Sequence, residues 1–415
     1  MPITLKTIEL FAGAGGLGLG FLLANHPGVN FRPLCAVDFN VDACTSYNMN
    51  MQWLHQNAPH LQTTQASKAY LRKVESLNVN AVKRLFQLQQ GDLDILMGGP
   101  PCQGYSSSNR QASKETRDEL NNMVKSFLDR VQDFSPKMFL LENVQGVTWT
   151  ASTDEMRIPS EQLSFIDNEE IADVKDYLVH RARELGYHIW YSVLDAADFG
   201  VPQHRKRFFL FGIRTDLTTD PNIRLEKFIN PYRTSTLTTV AQAIEDLPVI
   251  NNGEHWKGNN YNPVANGYIT MMRSFMNNNV LFDHFTTNHQ EYVLERFRNI
   301  PEGENWKSIK NIMNTYKNVN KTHSNIYRRL QRNAPSHTIS HYRKAMTIHP
   351  VQNRGLSFRE ACRLQSFPDW YRFSGTRESA QQQLANAVPP LLSSKVALAI
   401  ADYWLSLPHN ALMKD

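Results

Sequence analysis

The chain has 415 residues, of which 41% are hydrophobic and 20% are charged. This length allows two or three domains with cores of their own, and the composition excludes a disordered or fibrous protein. Only four cysteines are present, which excludes a disulfide-stapled module. No apolar run approaches the ~20 residues of a membrane span, and the N-terminus does not resemble a signal peptide, so we expect a cytoplasmic protein without membrane contact.

The net charge of +5 is distributed unevenly along the chain. Residues 1–210 carry 20 Lys and Arg against 23 Asp and Glu, a net of −3, whereas the remainder carries 24 against 16, a net of +8. Residues 305–363 hold twelve basic residues and one acid. Because basic side chains displace counterions from phosphates, this half is predicted to contact a polyanion such as nucleic acid. A solvated basic face without a partner remains the alternative on charge alone.

Predicted strands and helices alternate through the first half of the chain. Apolar runs typical of strands lie at residues 5–10, 34–40, 94–99, 137–144, 188–196 and 207–214. Amphipathic patterns typical of helices lie between several of these runs. The alternation predicts an α/β fold in which a mainly parallel sheet is covered by helices on both faces. Polar residues follow the strands at the edge where such sheets bind ligands.

The composition changes after about Thr215, where Asn, Pro, Thr and Tyr become frequent and no clean periodicity remains. We place a domain boundary there. Order returns near residue 327, and a helix is predicted at residues 356–367. A last helix is predicted to begin at Pro389 or Pro390 and to continue through SSKVALAIADYWLSL.

The segment GAGGLG, residues 13–18, separates the first predicted strand from the first helix, and Asp38 ends the second strand. Glycines let the backbone approach a cofactor, and an acid in this position accepts hydrogen bonds from ribose hydroxyls. Phe11 and Phe39 could stack on an adenine, or could be core aromatics beside a tight turn. The pattern predicts a nucleoside-containing cofactor and leaves a dinucleotide and S-adenosylmethionine both open.

Three later segments carry reactive side chains at strand ends. GGPPCQGYSSSN, from residue 98, presents Cys102 in a rigid Pro-Pro turn, which suits a nucleophile better than a core residue. Glu142 ends the next strand in LLENVQG, and QHRKRFF supplies Arg205 and Arg207. Alternate spacing on an extended segment points both arginines to one side, where they could hold an anion or donate to a carbonyl oxygen.

No metal site is predicted. The other three cysteines, Cys35, Cys44 and Cys362, are expected to pack in the core. His337 and His341 have helical spacing, but no HExxH pattern or cysteine partner accompanies them.

Taken in order, these segments resemble the cytosine-C5 DNA methyltransferases over nearly the whole chain except about residues 215–325. FAGAGG resembles the family's cofactor loop, AVDFN its ribose-binding strand end, PPCQGYS its nucleophile loop, ENV its catalytic glutamate motif and QHRKR its QxRxR motif. RRLQRNAPSHTI and QQQLANAVPPLLSSKVALAI resemble its last two motifs. The resemblance implies a Rossmann-like class I S-adenosylmethionine-dependent methyltransferase sheet with a second, smaller target-recognition domain.

The resemblance also implies residue roles. The residues that would contact S-adenosylmethionine are Phe11, Gly13, Gly15, Asp38, Phe39, Leu120 and Asn386. The residues that would act on the cytosine are Cys102, Glu142, Arg205 and Arg207, with the Pro100 carbonyl and Gln103 flanking the extruded base and Ser106 on a phosphate. Two departures stand out. Ala385 replaces the usual glycine before the asparagine, and the family's third-strand aspartate has no clear counterpart, since Ser67 and Asp92 are poor candidates.

By the same resemblance, residues 1–215 and 378–415 form the catalytic domain, interrupted by a target-recognition domain at 216–377. Residues 216–330 within it would read the target sequence. Duplex DNA would be the partner and S-adenosylmethionine the cofactor, without a metal. The chain would be a stand-alone monomeric enzyme of a prokaryote or phage, associated functionally with a restriction endonuclease but not in a stable complex.

Three alternative functions each fit part of the sequence. A nicotinamide-dependent oxidoreductase would explain GAGGLG and Asp38 but not PPCQ, ENV, QxRxR or the basic second half. A tRNA cytosine methyltransferase would share the chemistry, but the large region between QHRKR and YRRLQ favours a DNA-reading domain. A catalytically inactive DNA-binding relative is disfavoured because every chemical residue is present.

Overall fold

The computed structural model describes residues 2–61, 66–101, 114–144, 174–258, 261–264, 266–316 and 326–408, with the side chains of residue 59 and residues 114–121 outside that description. Its central feature is one seven-stranded sheet in the order β3-β2-β1-β4-β5-β7-β6. The strands are β1 (Ile3–Leu10), β2 (Val29–Asp38), β3 (Lys68–Leu71), β4 (Ile95–Gly98), β5 (Met138–Val144), β6 (Tyr187–Asp195) and β7 (Lys206–Arg214).

The first five strands are parallel, and β7 lies antiparallel between β5 and β6. The predicted α/β fold with a mainly parallel sheet is therefore confirmed. The antiparallel β7 was not predicted, and neither was the short strand β3. Only one side chain of β3, Ala69, is buried, so this strand lacks the apolar run that marked the others.

Helices cover both faces of this sheet. The described helices are α1 (Gly16–Leu23), α2 (Val41–Asn57), α3 (Val79–Phe86), α4 (Lys114–Phe134), α5 (Val174–Glu184), α6 (Leu225–Ile229), α7 (Val240–Ile244), α8 (Gly267–Met272), α9 (Glu291–Asn299), α10 (Phe358–Leu364), α11 (Arg377–Asn386) and α12 (Pro390–Ser406). Helix α10 begins with a capping box between Ser357 and Glu360. The last helix begins at Pro390, one of the two predicted positions.

Alternating side chains of the strands supply two separate cores, one on each face. On one face Met97 and Leu140 pack with α1 and with the last helix, α12. On the other face Leu96 and Leu141 pack with α4 and α5. The end of the chain thus completes the core of the N-terminal sheet.

Two further cores involve the second half of the chain. One joins α2 to residues from α7, α8, α10 and α11. The other is small and holds residues of α9 with Trp306, Tyr327 and Ile348. The proposed division into domains at 215 and 378 stays a prediction.

Among the described residues, one stretch, Arg377–Ser406, is long and apolar enough to cross a membrane by length and composition alone. The stretch consists of α11 and α12, and 61% of its most apolar window is buried inside the protein. Most of this stretch therefore packs in the core of the protein.

Several arginines of the basic stretch 305–363 are buried in the protein and do not lie on its surface. Arg359 and Arg363 are fully buried, and Arg354 and Arg329 are 2% and 5% exposed. Arg363 pairs with Asp246 and Asp369, at 2.6 and 2.7 Å. The predicted contact of the basic second half with a polyanion therefore does not rest on these four arginines.

Candidate active site

The loop after β1 runs through an unusual backbone conformation. Phe11, Gly13 and Gly15 have φ values of +52°, +53° and +83°, in the left-handed region. A side chain on Gly15 would meet the ring of Tyr47 at 2.5 Å, whereas a Cβ on Gly13 would meet no atom within 4 Å. Gly15 is therefore required for packing, and Gly13 leaves open space at the carboxyl end of β1.

Asp38, at the end of β2, holds this loop in place. One carboxylate oxygen accepts the backbone N–H of Gly13 and the other accepts that of Asn40, both at 2.8 Å. Burial raises the pKa of Asp38, and the backbone N–H groups oppose that rise. Each oxygen keeps a second lone pair for a further donor. The neighbouring ring of Phe39 is 56% exposed, which is unusual for phenylalanine.

A cleft lies beside these residues. Its lining consists of Phe11, Asp38, Phe39, Arg72, Lys73, Val74, Glu75 and Met123. Residues 72–75, which follow β3, were missed by sequence reasoning because β3 itself was missed. Leu120 lies in α4 one turn before Met123, and its side chain is outside the described part of the structure.

Asn386, predicted to contact the cofactor, is the last residue of α11 and is exposed. The segment that follows it approaches the glycine loop, since a Cβ on Gly16 would lie 2.3 Å from the Val388 carbonyl. Ala385 lies inside the helix and has no left-handed φ. Alanine is therefore tolerated at this position without strain.

Glu142 and Arg207 form an ion pair at the carboxyl end of β5, with 3.0 Å between Oε1 and Nε. Both side chains are buried, Glu142 to 7% and Arg207 to 9% exposure. Burial raises the pKa of Glu142 against the opposing effect of Arg207 and Arg205, so this carboxyl holds a proton more readily than an exposed one. Antiparallel pairing of β5 with β7 brings these two residues together.

The described residues just before Cys102 lie against this pair. A Cβ on Gly99 would lie 2.9 Å from Oε2 of Glu142. The side chain of Asn143 donates to the Pro100 carbonyl at 3.1 Å, an orienting contact that sequence reasoning missed. The predicted residues Cys102, Gln103 and Ser106 lie outside the described residues.

Arg205 has a different environment from Arg207. Its guanidinium is 1% exposed and donates to three backbone carbonyls, those of Ile339, Ala385 and Ala387. Gln203, in the same motif, is fully buried and accepts the N–H of Ile339. The structure thus gives Arg205 contacts with the main chain, and its predicted contact with the base stays a prediction.

A buried acid lies beneath the glycine loop. Glu9 in β1 is 2% exposed, and its Oε2 has no hydrogen-bond partner among the described residues. This oxygen lies against helix α1, since a Cβ on Gly18 would come within 2.3 Å of it. Burial raises the pKa of Glu9 to about 8; the backbone N–H of Gly18 opposes this rise, and Asp38 adds to it. The three cysteines predicted to pack, Cys35, Cys44 and Cys362, are all buried.

Comparisons with known proteins fit this geometry. A model of the family described as C-5 cytosine-specific DNA methylase matches residues 5–402. The chain is 30% identical to the type II methyltransferase M.DdeI of Desulfomicrobium norvegicum, over 96% of this chain and 89% of that protein. It is 29% identical to the type II methyltransferase M.AgeI of Thalassovita gelatinovora, over 95% and 99%.

A solved structure shares the fold. The crystal structure of a DNA modification methyltransferase encoded within a prophage of E. coli matches with a TM-score of 0.70 and 24% identity. The match covers 97% of this chain and all of that one.

Proposed function

Because the chain belongs to the C-5 cytosine-specific DNA methylase family, we propose that it methylates C5 of a cytosine flipped out of a specific duplex DNA sequence. S-adenosylmethionine would be the methyl donor, and the chain the modification enzyme of a type II restriction-modification system. The observation that carries the chemistry is the buried Glu142–Arg207 pair, which lies against Gly99, three residues before Cys102.

Covalent addition to the ring is the first step of the proposed reaction. Cytosine C5 is too weak a nucleophile to take a methyl group unaided. The Cys102 thiolate forms a bond to C6, and the ring electrons move toward N3 and O2. Glu142 gives a proton to N3, and Arg207 donates to O2, where negative charge develops. C5 thereby becomes nucleophilic.

The protonation of Glu142 suits this role. Burial favours the neutral carboxyl, which can give a proton to N3, and Arg207 stabilises the carboxylate that remains. Asn143 holds the Pro100 carbonyl through one lone pair and leaves the other for the exocyclic amine of the base. After C5 has gained the methyl group, the C5 proton passes to a base and the sulfur leaves C6 as the thiolate, which restores the C5–C6 double bond. The N3 proton then returns to the Glu142 carboxylate, so that a neutral product and the starting form of the enzyme are left.

The cleft at the ends of β1, β2 and β3 fits a nucleoside. The exposed ring of Phe39 offers a stacking surface, the free lone pairs of Asp38 offer acceptors for ribose hydroxyls, and Gly13 leaves room for close approach. When bound there, S-adenosylmethionine supplies an electrophilic methyl group. Glu75, which also lines the cleft, is the described acid closest in sequence to β3 and is our candidate for the unassigned third-strand position.

Recognition of the target is assigned to residues 216–330, which are the least similar to the family motifs. The catalytic residues contact only the extruded base, and flipping costs a few kcal/mol that contacts with the rest of the duplex must offset. We further propose a monomeric enzyme in the cytoplasm of a prokaryote, with a restriction endonuclease as functional partner.

The proposal is tested by methyl transfer from radiolabelled S-adenosylmethionine to duplex DNA, with tRNA as the competing acceptor. A duplex with 5-fluorocytosine at the target position should trap a covalent adduct on the wild type, and Cys102→Ser should give neither adduct nor product while still binding the cofactor. Full turnover by Cys102→Ser would contradict the covalent mechanism. Bisulfite sequencing of DNA from cells that express the protein would identify the target sequence.

A further inference from the structure

We propose that Gln365 is a positioning residue that fixes the end of α11, and with it Asn386, relative to the strand that carries Arg207. The proposal rests on the function proposed above, because it assigns Asn386 to the cofactor. Its basis is a buried polar cluster of three side chains, Gln203, Arg205 and Gln365, here called the glutamine junction.

The first side of the glutamine junction caps helix α11. The Gln365 amide nitrogen donates to the carbonyls of Leu384 and Ala387, at 2.6 and 2.8 Å. Arg205 donates to Ala385 and shares the Ala387 carbonyl. The last carbonyls of a helix lack some of their usual partners, so these side-chain donors add to the backbone bonds that the Ala387 N–H makes to Gln383 and Leu384. Asn386 lies within this capped segment.

The second side joins the same side chains to the QxRxR segment. The Gln365 side-chain oxygen accepts from Gln203 at 3.2 Å. Gln203 in turn accepts the N–H of Ile339 at 2.8 Å, and Arg205 donates to the Ile339 carbonyl. Because Arg207 follows two residues after Arg205, the bonds that hold Asn386 also hold the start of the strand that carries the base-binding arginine.

The chain after Gln365 strengthens this arrangement. Ser366 has a left-handed φ of +59°, and its hydroxyl accepts the N–H of Leu391 at 3.1 Å. Gln365 therefore holds the end of α11 while Ser366 holds the first turn of α12. The short connection that follows Asn386 is fixed on both sides by two consecutive residues, both 1% exposed or less.

Because position 365 is buried, an apolar side chain cannot replace the hydrogen bonds of this glutamine. Gln365 is fully buried, and its nitrogen and oxygen both have partners. Leucine in its place would leave the Leu384 carbonyl and the Gln203 amide without these bonds in a dry environment. The helix end would then be free to shift, and the cofactor contact of Asn386 would weaken before the fold is lost.

The test measures binding of S-adenosylhomocysteine to the full chain by calorimetry, without DNA, together with kcat and KM for methyl transfer. The variant is Gln365→Leu, and the matched control is Gln381→Leu. Gln381 is 1% exposed, lies in the same helix α11 and donates to Tyr342, outside the glutamine junction. Gln365 takes part in three side-chain hydrogen bonds and Gln381 in one, so Gln365→Leu should lose more thermal stability, and thermal unfolding of both variants is recorded beside the binding data.

We expect Gln365→Leu to raise the Kd for S-adenosylhomocysteine by about 10-fold relative to Gln381→Leu, and to raise KM for the cofactor more than KM for DNA. Equal affinities of the two variants would overturn the proposal. A wild type that binds no S-adenosylhomocysteine would overturn the proposed function and this inference together.

Gln365→Glu provides a second measurement if the leucine variant does not fold. Its carboxylate can still accept from Gln203 but, when ionised, cannot donate to the two helix carbonyls. Its affinity for S-adenosylhomocysteine, relative to the wild type at each pH, should rise as the pH falls, because the protonated carboxyl regains one donor. A ratio independent of pH together with wild-type affinity would overturn the proposal.

Discussion

Replacing Glu9 with Gln is expected to remove a loss of stability that the wild type suffers as the pH rises. Glu9 is buried beneath the glycine loop, and burial raises its pKa from the ordinary value of 4.5 to about 8. Between these two values the folded protein keeps the proton while the unfolded chain releases it. The unfolded state then binds fewer protons, so the free energy of unfolding falls as the pH rises.

The magnitude follows from the difference between the two pKa values. At about 1.4 kcal/mol per pKa unit, the wild type should lose about 2 kcal/mol between pH 6 and pH 8, because Glu9 is already half ionised in the folded protein at pH 8. The total loss, complete only above pH 8, is about 5 kcal/mol. Glu9→Gln keeps the shape of the neutral carboxyl and does not titrate. The free energy of unfolding of Glu9→Gln should therefore carry no contribution from residue 9 that changes between pH 6 and pH 8.

The assay is urea unfolding of the wild type and Glu9→Gln at several pH values, followed by tryptophan fluorescence. Glu226→Gln is the control, because Glu226 is exposed and should leave the wild-type pH dependence intact. The quantity compared is the difference in free energy of unfolding between each variant and the wild type. If Glu9→Gln shows the same pH dependence as the wild type, Glu9 titrates normally and the argument from burial is refuted.

Three further predictions concern packing, cofactor binding and chemistry. A Cβ on Gly212 would lie 2.1 Å from the ring of Phe139, so Gly212→Ala should cost about 2 kcal/mol in thermal unfolding, whereas Gly267→Ala, with no atom within 4 Å, should cost nothing measurable. Asp38→Asn leaves one of two backbone N–H groups without its acceptor and should weaken S-adenosylhomocysteine binding about 10-fold by calorimetry, with unchanged circular dichroism. Glu142→Gln should lower the single-turnover rate constant of methyl transfer by about 100-fold or more, while the Kd for DNA stays within about 3-fold. Equal losses in the rate constant and in DNA affinity would make Glu142 structural.

Most of the sheet was predictable from sequence because its strands are buried on both faces and therefore read as apolar runs. The orientation of β7 was missed, although the chain contained a signal. Only residues 196–205 separate β6 from β7, which is too short for the crossover helix that a parallel neighbour usually needs. Strand β3 could not be found in this way, because its side chains are mostly not buried.

The candidate site was predictable where a functional side chain lies within a short, specific sequence motif. Asp38 lies in AVDFN and Glu142 lies in ENV. What the sequence could not reveal is which groups those residues meet. Arg205 and Arg207 look equivalent in QHRKR, yet one donates to carbonyls near residue 385 and the other pairs with Glu142. Packing between distant segments decides this difference. The same holds for Glu9, whose unusual environment depends on how α1 lies across β1.

The position of α12 has a consequence for synthesis of the protein on the ribosome. The last strand of the sheet ends at Arg214, but the helix that completes one face of its core begins about 175 residues later, at Pro390. At typical bacterial and eukaryotic translation rates this delay lasts about 10 to 35 s. During that time the nascent chain exposes an apolar sheet face that chaperones could bind. A ribosome that stalls before residue 390 would release a chain with that face permanently uncovered, which predisposes it to aggregation rather than to partial activity.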